Sequence, residues 1–251
     1  MKNLKLTLVA GLLSIAATAS AQFANTGKSS NVAANTDNYD RITLSYNPQT
    51  IIPDYDDADN LGLYGISLGY TKGISISKSY PLFVEVGARL NYSFKTQDMF
   101  EDEDLDSDEE EAMDLLFNKH HYTTSYMNIA VPVNLAYKFQ VKDNVAITPF
   151  VGVTLKGNLL AKVSYDIELT EEGEDYIDDE LLEEYEDDVN YFDKKDVGKD
   201  YVWNRFQIGW NIGAGVDFNQ WYVGFSYGSD FMEIAKKTKT SNWAISLGYN
   251  F

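Results

Sequence analysis

The strongest constraint on the fold is the strict alternation of apolar and small or polar residues over positions 243–251. Every second residue from Trp243 to Phe251 is apolar or aromatic, and the residues between them are alanine, serine, glycine and asparagine. Successive side chains of a β-strand point to opposite faces, so this period of two predicts a strand with two unlike faces. Such a strand needs paired neighbours and an apolar medium against one face.

The same alternation recurs seven times earlier in the chain. The predicted strands cover residues 39–46, 63–76, 82–94, 122–139, 145–165, 201–218, 221–227 and 243–251. The connections between them are alternately long and short, which is typical of an up-and-down meander with two unlike rims. Short helices are also predicted inside two of the long loops, near residues 107–117 and 177–189.

The composition of the two strand faces indicates which medium the apolar face meets. The opposite face is mostly glycine, serine, threonine and asparagine with scattered charges, whereas a water-facing surface carries many lysines and glutamates. The sequence therefore predicts an all-β fold, an eight-stranded antiparallel up-and-down transmembrane β-barrel over residues 39–251. Short periplasmic turns and long acidic extracellular loops complete it. The alternative is a soluble eight-stranded barrel with its apolar face inward.

The N-terminal region has the pattern of an export signal. Residues 1–21 combine a basic start, a short apolar run and a small-x-small site before Gln22, which predicts a cleaved signal peptide. Residues 22–38 are rich in Asn, Ser, Thr and Ala without periodicity, which is typical of a flexible leader. The chain has no cysteine, so its stability does not depend on disulfides.

The charge of the chain is strongly negative and unevenly placed. The formal net charge is −19, and 32 of the 39 acidic residues lie in the ranges 54–59, 98–114 and 166–200. This excess of acid excludes nucleic acid as a partner, because phosphate binding requires basic patches. Clustered carboxylates suit weak association with divalent cations, which also bridge lipopolysaccharide phosphates.

The first acidic cluster supplies weak candidates for metal ligands, although it lacks the spacing of an EF-hand. These candidates are Asp54, Asp56, Asp57 and Asp59. No metal site of defined geometry and no cofactor are predicted.

Seven charged residues fall on the face predicted to line the barrel interior. One hypothesis makes them a charged pore constriction, and the other pairs opposite charges across a barrel too narrow to conduct. Eight strands enclose little more than side chains, and an unpaired buried charge is costly, so pairing is favoured. The residues are Arg41, Glu85, Arg89, Lys138, Lys156, Arg205 and Asp217.

A catalytic site is not predicted. His120 and His121 precede Thr123, Thr124 and Ser125, but a hydrolase needs a nucleophile, a base and an orienting group held together. No such signature is found, so we expect a protein that is not an enzyme.

The exported start, the strand spacing and the ending Leu247-Gly-Tyr-Asn-Phe251 resemble the porin-like outer-membrane β-barrels of Gram-negative bacteria, of the PorT type. The resemblance implies an outer-membrane location, contact with outer-membrane lipid, and recognition of Tyr249 and Phe251 by the barrel assembly machinery. The expected function is a non-catalytic barrel that presents acidic loops for interaction or weak divalent-cation association. The alternatives are a small-solute channel and an accessory component of protein secretion.

Overall fold

The computed structural model describes residues 36–55, 58–99, 115–176 and 188–251, which form one antiparallel sheet with two short helices. The predicted signal peptide, nearly all of the predicted leader, and most of both predicted loop helices lie outside these residues. The strands are β1 Tyr39–Tyr46, β2 Gln49–Pro53, β3 Leu61–Ser75, β4 Leu82–Asp98, β5 Phe117–Tyr137, β6 Phe139–Lys142, β7 Val145–Leu169, β8 Val189–Asn190, β9 Phe206–Phe218, β10 Trp221–Asp230 and β11 Thr238–Asn250. The helices are α1 Glu171–Tyr176 and α2 Lys194–Val197.

The strands form a closed ring of eight, because two pairs of consecutive strands each act as one ring strand and β8 lies outside the ring. β1 and β2 both lie between β11 and β3 and keep the same register on either side, so they are one strand interrupted at Asn47 and Pro48. Proline has no N–H to donate to the ladder, which explains the interruption. In the same way, β6 continues the pairing of β5 with β7. The ring order is β1/β2, β3, β4, β5/β6, β7, β9, β10, β11 and back to β1.

The register fixes how steeply the strands are tilted. Following the paired residues once around the ring from Tyr39, through Glu85 and Asn242, returns to the first strand at Gln49. This shift of ten residues is a displacement of roughly 33 Å along the strand, and it corresponds to a tilt of about 40° in an eight-stranded barrel. The fold class predicted from the sequence is thus confirmed in strand number, pairing and topology.

The two faces of the ring have opposite character. Leu44, Leu68 and Leu247 point outward and are 62%, 60% and 61% exposed, whereas the alternate residues Ser45 and Ser67 are buried. The barrel therefore carries its apolar side chains on the outside and its polar side chains on the inside. This is the inverse of a soluble barrel. Among the described residues, no helix is long and apolar enough to cross a membrane.

The two rims differ as the loop lengths predict. At the turn rim, residues 76–81, 143–144 and 219–220 connect consecutive ring strands. At the loop rim, the connections are residues 54–60, 99–116, 170–205 and 231–237. Three ring strands extend furthest into the loop rim. Backbone pairing of β4, β5 and β7 continues there up to Asp98, Phe117 and Leu169.

Several predicted boundaries were wrong, and three of them change how the loop rim is built. Residues 49–53, predicted as loop, form β2, because the ladder resumes after Pro48. The strand predicted from Tyr201 begins at Phe206, since Trp203 is buried in an apolar cluster at the barrel mouth instead of pairing in the sheet. His120 and His121, predicted in a loop, lie on β5.

Candidate functional site: the barrel interior

Apolar clusters lie in the interior near both rims. Towards the turn rim, Tyr39, Phe83 and Ala136 are buried and pack with Phe150. At the loop rim, a larger cluster, here called the loop-rim plug, combines inward strand residues with residues of the long loops. Its members are Ile51, Leu63, Tyr126, Ala161, Trp203, Ile234 and Ala235, with Leu61, Tyr191 and Phe192 packed against them.

Trp203 is the centre of the loop-rim plug. Its ring lies 4.8 Å from that of Tyr191 and 5.6 Å from that of Tyr126. The backbone N–H of Trp203 donates to the carbonyl of Tyr191, and that of Asn204 donates to the carbonyl of Ile234. Backbone bonds and aromatic contacts together hold these loop residues over the barrel mouth.

The first ionic network of the interior lies near the turn rim. Arg41 Nη1 is 3.5 Å from Glu85 Oε1, and Arg41 Nη2 is 3.2 Å from Asp217 Oδ1. Tyr39 donates its hydroxyl to Glu85, and Lys138 Nζ is 3.6 Å from Asp217 Oδ2. The Arg41 guanidinium also lies 3.5 Å from the centre of the Tyr222 ring. Each charge of this group therefore faces an opposite charge.

The second ionic network lies below the loop-rim plug. Lys156 Nζ is 2.7 Å from Asp230 Oδ1, and both side chains are buried. The other oxygen of Asp230 accepts hydrogen bonds from Gln207 Nε2 and from the hydroxyl of Thr240. Asn158 donates to Gln207 and accepts from Tyr126, which ties the network to the plug.

A chain of side-chain amides crosses the interior between these networks. Asn242 donates to Asn47 at 2.8 Å, Asn47 to Asn91 at 2.9 Å, and Asn91 to Asn128 at 2.7 Å. The chain links β11, β4 and β5 through the residue at the β1–β2 interruption. Successive buried amides satisfy one another in this way without adding net charge.

The described interior contains small polar cavities, and two of them adjoin Arg89. One has a volume of about 40 Å³ and the other about 30 Å³, and Arg89 lines both. Asn91, Asn128 and Lys156 line the larger cavity. Spaces of this size hold roughly two to four water molecules each, since one water needs about 10–15 Å³.

Most of the interior charges expected from the sequence do lie inside the barrel. Arg41, Glu85, Lys156 and Asp217 are buried, the side chain of Lys138 is 13% exposed, and Arg89 faces the cavities. The prediction that Arg205 faces the interior was wrong. Arg205 precedes β9, is exposed, and lies 4.0 Å above the Phe192 ring in the loop rim.

Sequence reasoning missed several residues of the interior. Asp230 was omitted because the seventh strand was ended at Tyr227, although the inward alternation of β10 continues through Gly228 to Asp230. Asn47 continues the inward alternation of β1 in the same manner. No sequence pattern indicated that Trp203 is buried at the barrel mouth, since its position depends on a loop that folds back over the mouth.

The terminal residues close the ring at the turn rim. The hydroxyl of Tyr249 donates to Gln220 Oε1 at 2.7 Å, and the Tyr249 ring meets that of Trp221 edge-on. Phe251 has an exposed side chain, and its backbone N–H donates to the carbonyl of Asp40. Both outward aromatics belong to the band of aromatic side chains at this rim.

The metal-ligand candidates do not form a site in the described part of the chain. Asp54 and Asp59 are exposed in the first loop, and Asp56 and Asp57 lie outside the described residues. No three His, Asp or Glu residues among those described are placed to hold a metal ion. On β5, His120 Nε2 lies 2.9 Å from Asp98 Oδ2.

The sequence matches the family model described as an outer membrane protein beta-barrel domain, over residues 6–251. The chain belongs to this family. An outer membrane protein β-barrel resides in the outer membrane, so the outward apolar face contacts lipid. No curated protein matches the sequence.

Solved structures with a similar barrel are distant in sequence. Ail of Yersinia pestis, solved with the heparin analogue sucrose octasulfate, is 12% identical, with 86% of this chain and 99% of that chain covered and a TM-score of 0.42. Neisserial surface protein A is 11% identical, with coverages of 84% and 97% and a TM-score of 0.40. PagL is 10% identical, with coverages of 82% and 98% and a TM-score of 0.38.

The comparison with PagL corrects one prediction. PagL is an outer membrane enzyme with the same type of fold, so the expectation that this protein is not an enzyme, which was drawn from the absence of a hydrolase signature, was wrong. The likeness concerns the fold alone and does not make this chain an enzyme.

Proposed function

We propose that this outer-membrane barrel presents its acidic loops as an interaction surface that associates weakly with divalent cations and, through them, with lipopolysaccharide phosphates. The observation that carries the proposal is the division of charge within the molecule. Four ion pairs join charged side chains inside the barrel, whereas 32 of the 39 acidic residues lie in the three acid-rich ranges 54–59, 98–114 and 166–200. The interior carboxylates are therefore already paired with cations, and the excess negative charge lies in the acid-rich ranges.

Physical chemistry favours divalent cations as the first partner of such loops. Carboxylates placed close together repel one another, and Ca²⁺ or Mg²⁺ relieves this repulsion while keeping oxygen ligands. A cation held between a carboxylate and a lipid phosphate neutralises both. Some carboxylates of the described loop surface are paired with lysines, such as Asp200 with Lys236 at 3.2 Å. The excess of negative over positive charge lies in the acid-rich ranges.

Equilibrium dialysis with ⁴⁵Ca²⁺ tests this proposal on the full chain refolded in detergent. We expect calcium retention to fall severalfold when the acidic residues of the range 101–111 are changed to their amides, because loop length and polarity are kept while the charge is removed. Equal retention by the wild type and the amide variant would contradict the proposal.

A matched control removes acid elsewhere. Asp143→Asn changes a carboxylate in the short turn after β6, at the opposite rim, and we expect it to leave calcium retention unchanged. A loss per removed carboxylate as large as that of the loop variant would mean that retention reflects total charge only.

A small-solute channel is the second candidate, and the two polar cavities along the interior favour it. Their volumes of about 40 Å³ and 30 Å³ and the loop-rim plug oppose free passage. Planar-bilayer recordings decide between the candidates. We expect no discrete conductance steps from the wild type, and reproducible steps would favour the channel.

The narrower PorT-type assignment and a role as an accessory component of protein secretion are also proposals, and they follow from the sequence resemblance. A deletion strain tests them, because loss of a secretion component leaves exported cargo inside the cell. Unchanged secretion of all cargo would contradict the accessory role.

We further propose that a signal peptide covering residues 1–21 is removed and that Tyr249 and Phe251 are recognised by the assembly machinery. N-terminal sequencing of the mature protein is expected to begin at Gln22. Deletion of Phe251 is expected to lower the amount of barrel in the outer membrane, measured against Phe251→Tyr, which keeps a terminal aromatic.

A further inference from the structure

Arg89 differs from the other interior cations in its surroundings. Its cross-strand neighbours are Gly69 on β3 and Ala130 on β5, which offer no carboxylate. Arg41, Lys138 and Lys156 each lie within 4 Å of a carboxylate oxygen, whereas Arg89 forms no such pair with any residue in the described ranges.

The carboxylates of the interior are already engaged. Glu85 contacts Arg41 and Tyr39, Asp217 contacts Arg41 and Lys138, and Asp230 contacts Lys156. Glu85 lies four positions before Arg89 on the same face of β4, roughly 13 Å away between Cα atoms. It forms its ion pair with Arg41 and none with Arg89 within 4 Å. The two ionic networks and Arg89 together hold four cations against three carboxylates, and Arg89 is the cation of this group without a carboxylate oxygen within 4 Å.

An uncompensated guanidinium inside a barrel is costly, because the wall is surrounded by lipid and the side chain loses its hydration. Arg89 does, however, face open space. It lines both cavities, and the larger one is also lined by the amides of Asn91 and Asn128, which can donate hydrogen bonds. The carboxylates that reach these cavities, Asp230 in the larger and Glu85 in the smaller, are each already paired with a cation.

We propose that the cavity beside Arg89 binds a small monovalent inorganic anion of the size of chloride. The volume of about 40 Å³ suits one such ion with a water molecule. The oxygens of Gln49 and Asn211, which line the same cavity, accept no hydrogen bond from the described residues, and a water solvating the ion satisfies them. The anion balances the fourth cation and completes the pairing of the interior.

The first experiment locates the ion directly. The full chain is refolded and crystallised with sodium bromide in place of chloride, and anomalous diffraction is measured at the bromine edge. We expect a bromide peak in contact with the Arg89 guanidinium. Well-ordered density at Arg89 without any anomalous peak there would overturn the proposal.

The second experiment measures the effect of the ion on stability. Thermal unfolding in detergent is compared in sodium chloride and in sodium gluconate at equal ionic strength, because gluconate is too large for the cavity. We expect the midpoint of the wild type to rise with chloride and to saturate, and we expect Arg89→Met to lose this dependence. Equal midpoints for the wild type in both salts would contradict the site.

Lys78→Met is the matched control, since Lys78 is an exposed cation in the turn between β3 and β4. It is expected to keep the full chloride dependence. Chloride dependence retained in Arg89→Met would place the ion elsewhere and overturn the assignment. If Arg89→Met fails to refold, the bromide peak in the wild type decides the question alone.

Discussion

At the scale of single residues, burial decides how much an ion pair contributes to the stability of the barrel. The Lys156–Asp230 pair is buried inside the barrel, whereas the Lys72–Asp40 pair lies on the outer surface near the turn rim with side chains 48% and 27% exposed. A buried ion left without its partner is far more costly than an exposed one, because water no longer compensates for the loss.

We therefore expect Asp230→Asn to lower the free energy of unfolding by about 3–5 kcal/mol, because it leaves Lys156 charged and unpaired. Asp40→Asn serves as the control and is expected to have little effect. The measurement is urea unfolding of protein refolded in lipid vesicles. If the two variants unfold at the same urea concentration, the interior around Lys156 is hydrated well enough to replace the carboxylate.

The interior residues also show the limits of sequence reasoning at this scale. Alternation along β1, β4 and β9 was enough to place Arg41, Glu85 and Asp217 inside. It did not reveal which charges meet, since Arg41 and Asp217 are 176 residues apart and are brought together by ring closure. It also failed for Arg205, where the strand begins one residue later.

At the scale of elements, the loop-rim plug is the part of the fold most dependent on loop packing. Trp203→Ala removes a buried indole from between Tyr126 and Tyr191. We expect faster hydrogen exchange over residues 188–205, because the cavity left by a large aromatic side chain costs about 3–5 kcal/mol. The barrel strands keep their protection, since their ladders do not involve Trp203.

Trp243→Ala is the matched control for this prediction. Trp243 is an outward residue of β11 that contacts Tyr46 and Phe225. We expect its loss to leave exchange over residues 188–205 unchanged. Equal acceleration in both variants would mean that the loop residues report the stability of the whole barrel.

The short strand β8 provides a pH prediction. Its neighbour Asp188 accepts a hydrogen bond from Lys162 at 2.8 Å, which lowers the pKa of the Asp188 carboxyl below its ordinary value. A lowered folded-state pKa stabilises the fold above the ordinary pKa of aspartate, about 3.9, and this contribution is lost as the pH falls through the lower folded value.

Protection of the Tyr191 amide, which donates to the carbonyl of Ala161, is therefore expected to decrease modestly below pH 4. The effect is small because the pair is largely exposed. Asp188→Asn removes the titrating group and is expected to remove this pH dependence. A wild type and variant with identical profiles would show that another group controls the docking of β8.

At the scale of the whole molecule, closure of the ring is the property that makes the barrel cooperative. Each ring strand is paired on both sides, so no edge is left open in the lipid. We expect detergent-refolded protein to be rich in β-structure and to migrate faster on a gel before heating than after. Circular dichroism and gel mobility measure this together.

Loop shortening provides the control at this scale. Removal of residues 101–111 is expected to preserve heat-modifiability, because the ladders of β4 and β5 that flank this loop stay intact. A shortened protein that no longer shifts on heating would mean that the loop takes part in closing the barrel.

The number of ring strands, their inside and outside faces and the unequal rims were all predictable from the amino-acid sequence. These properties follow from a side-chain period of two and from loop lengths, both of which are local along the chain. Only the tertiary structure decided the shift of ten residues around the ring, the loop residues that plug one rim, and the charge partners inside. Those properties depend on contacts between residues far apart in sequence, which closure of the barrel creates.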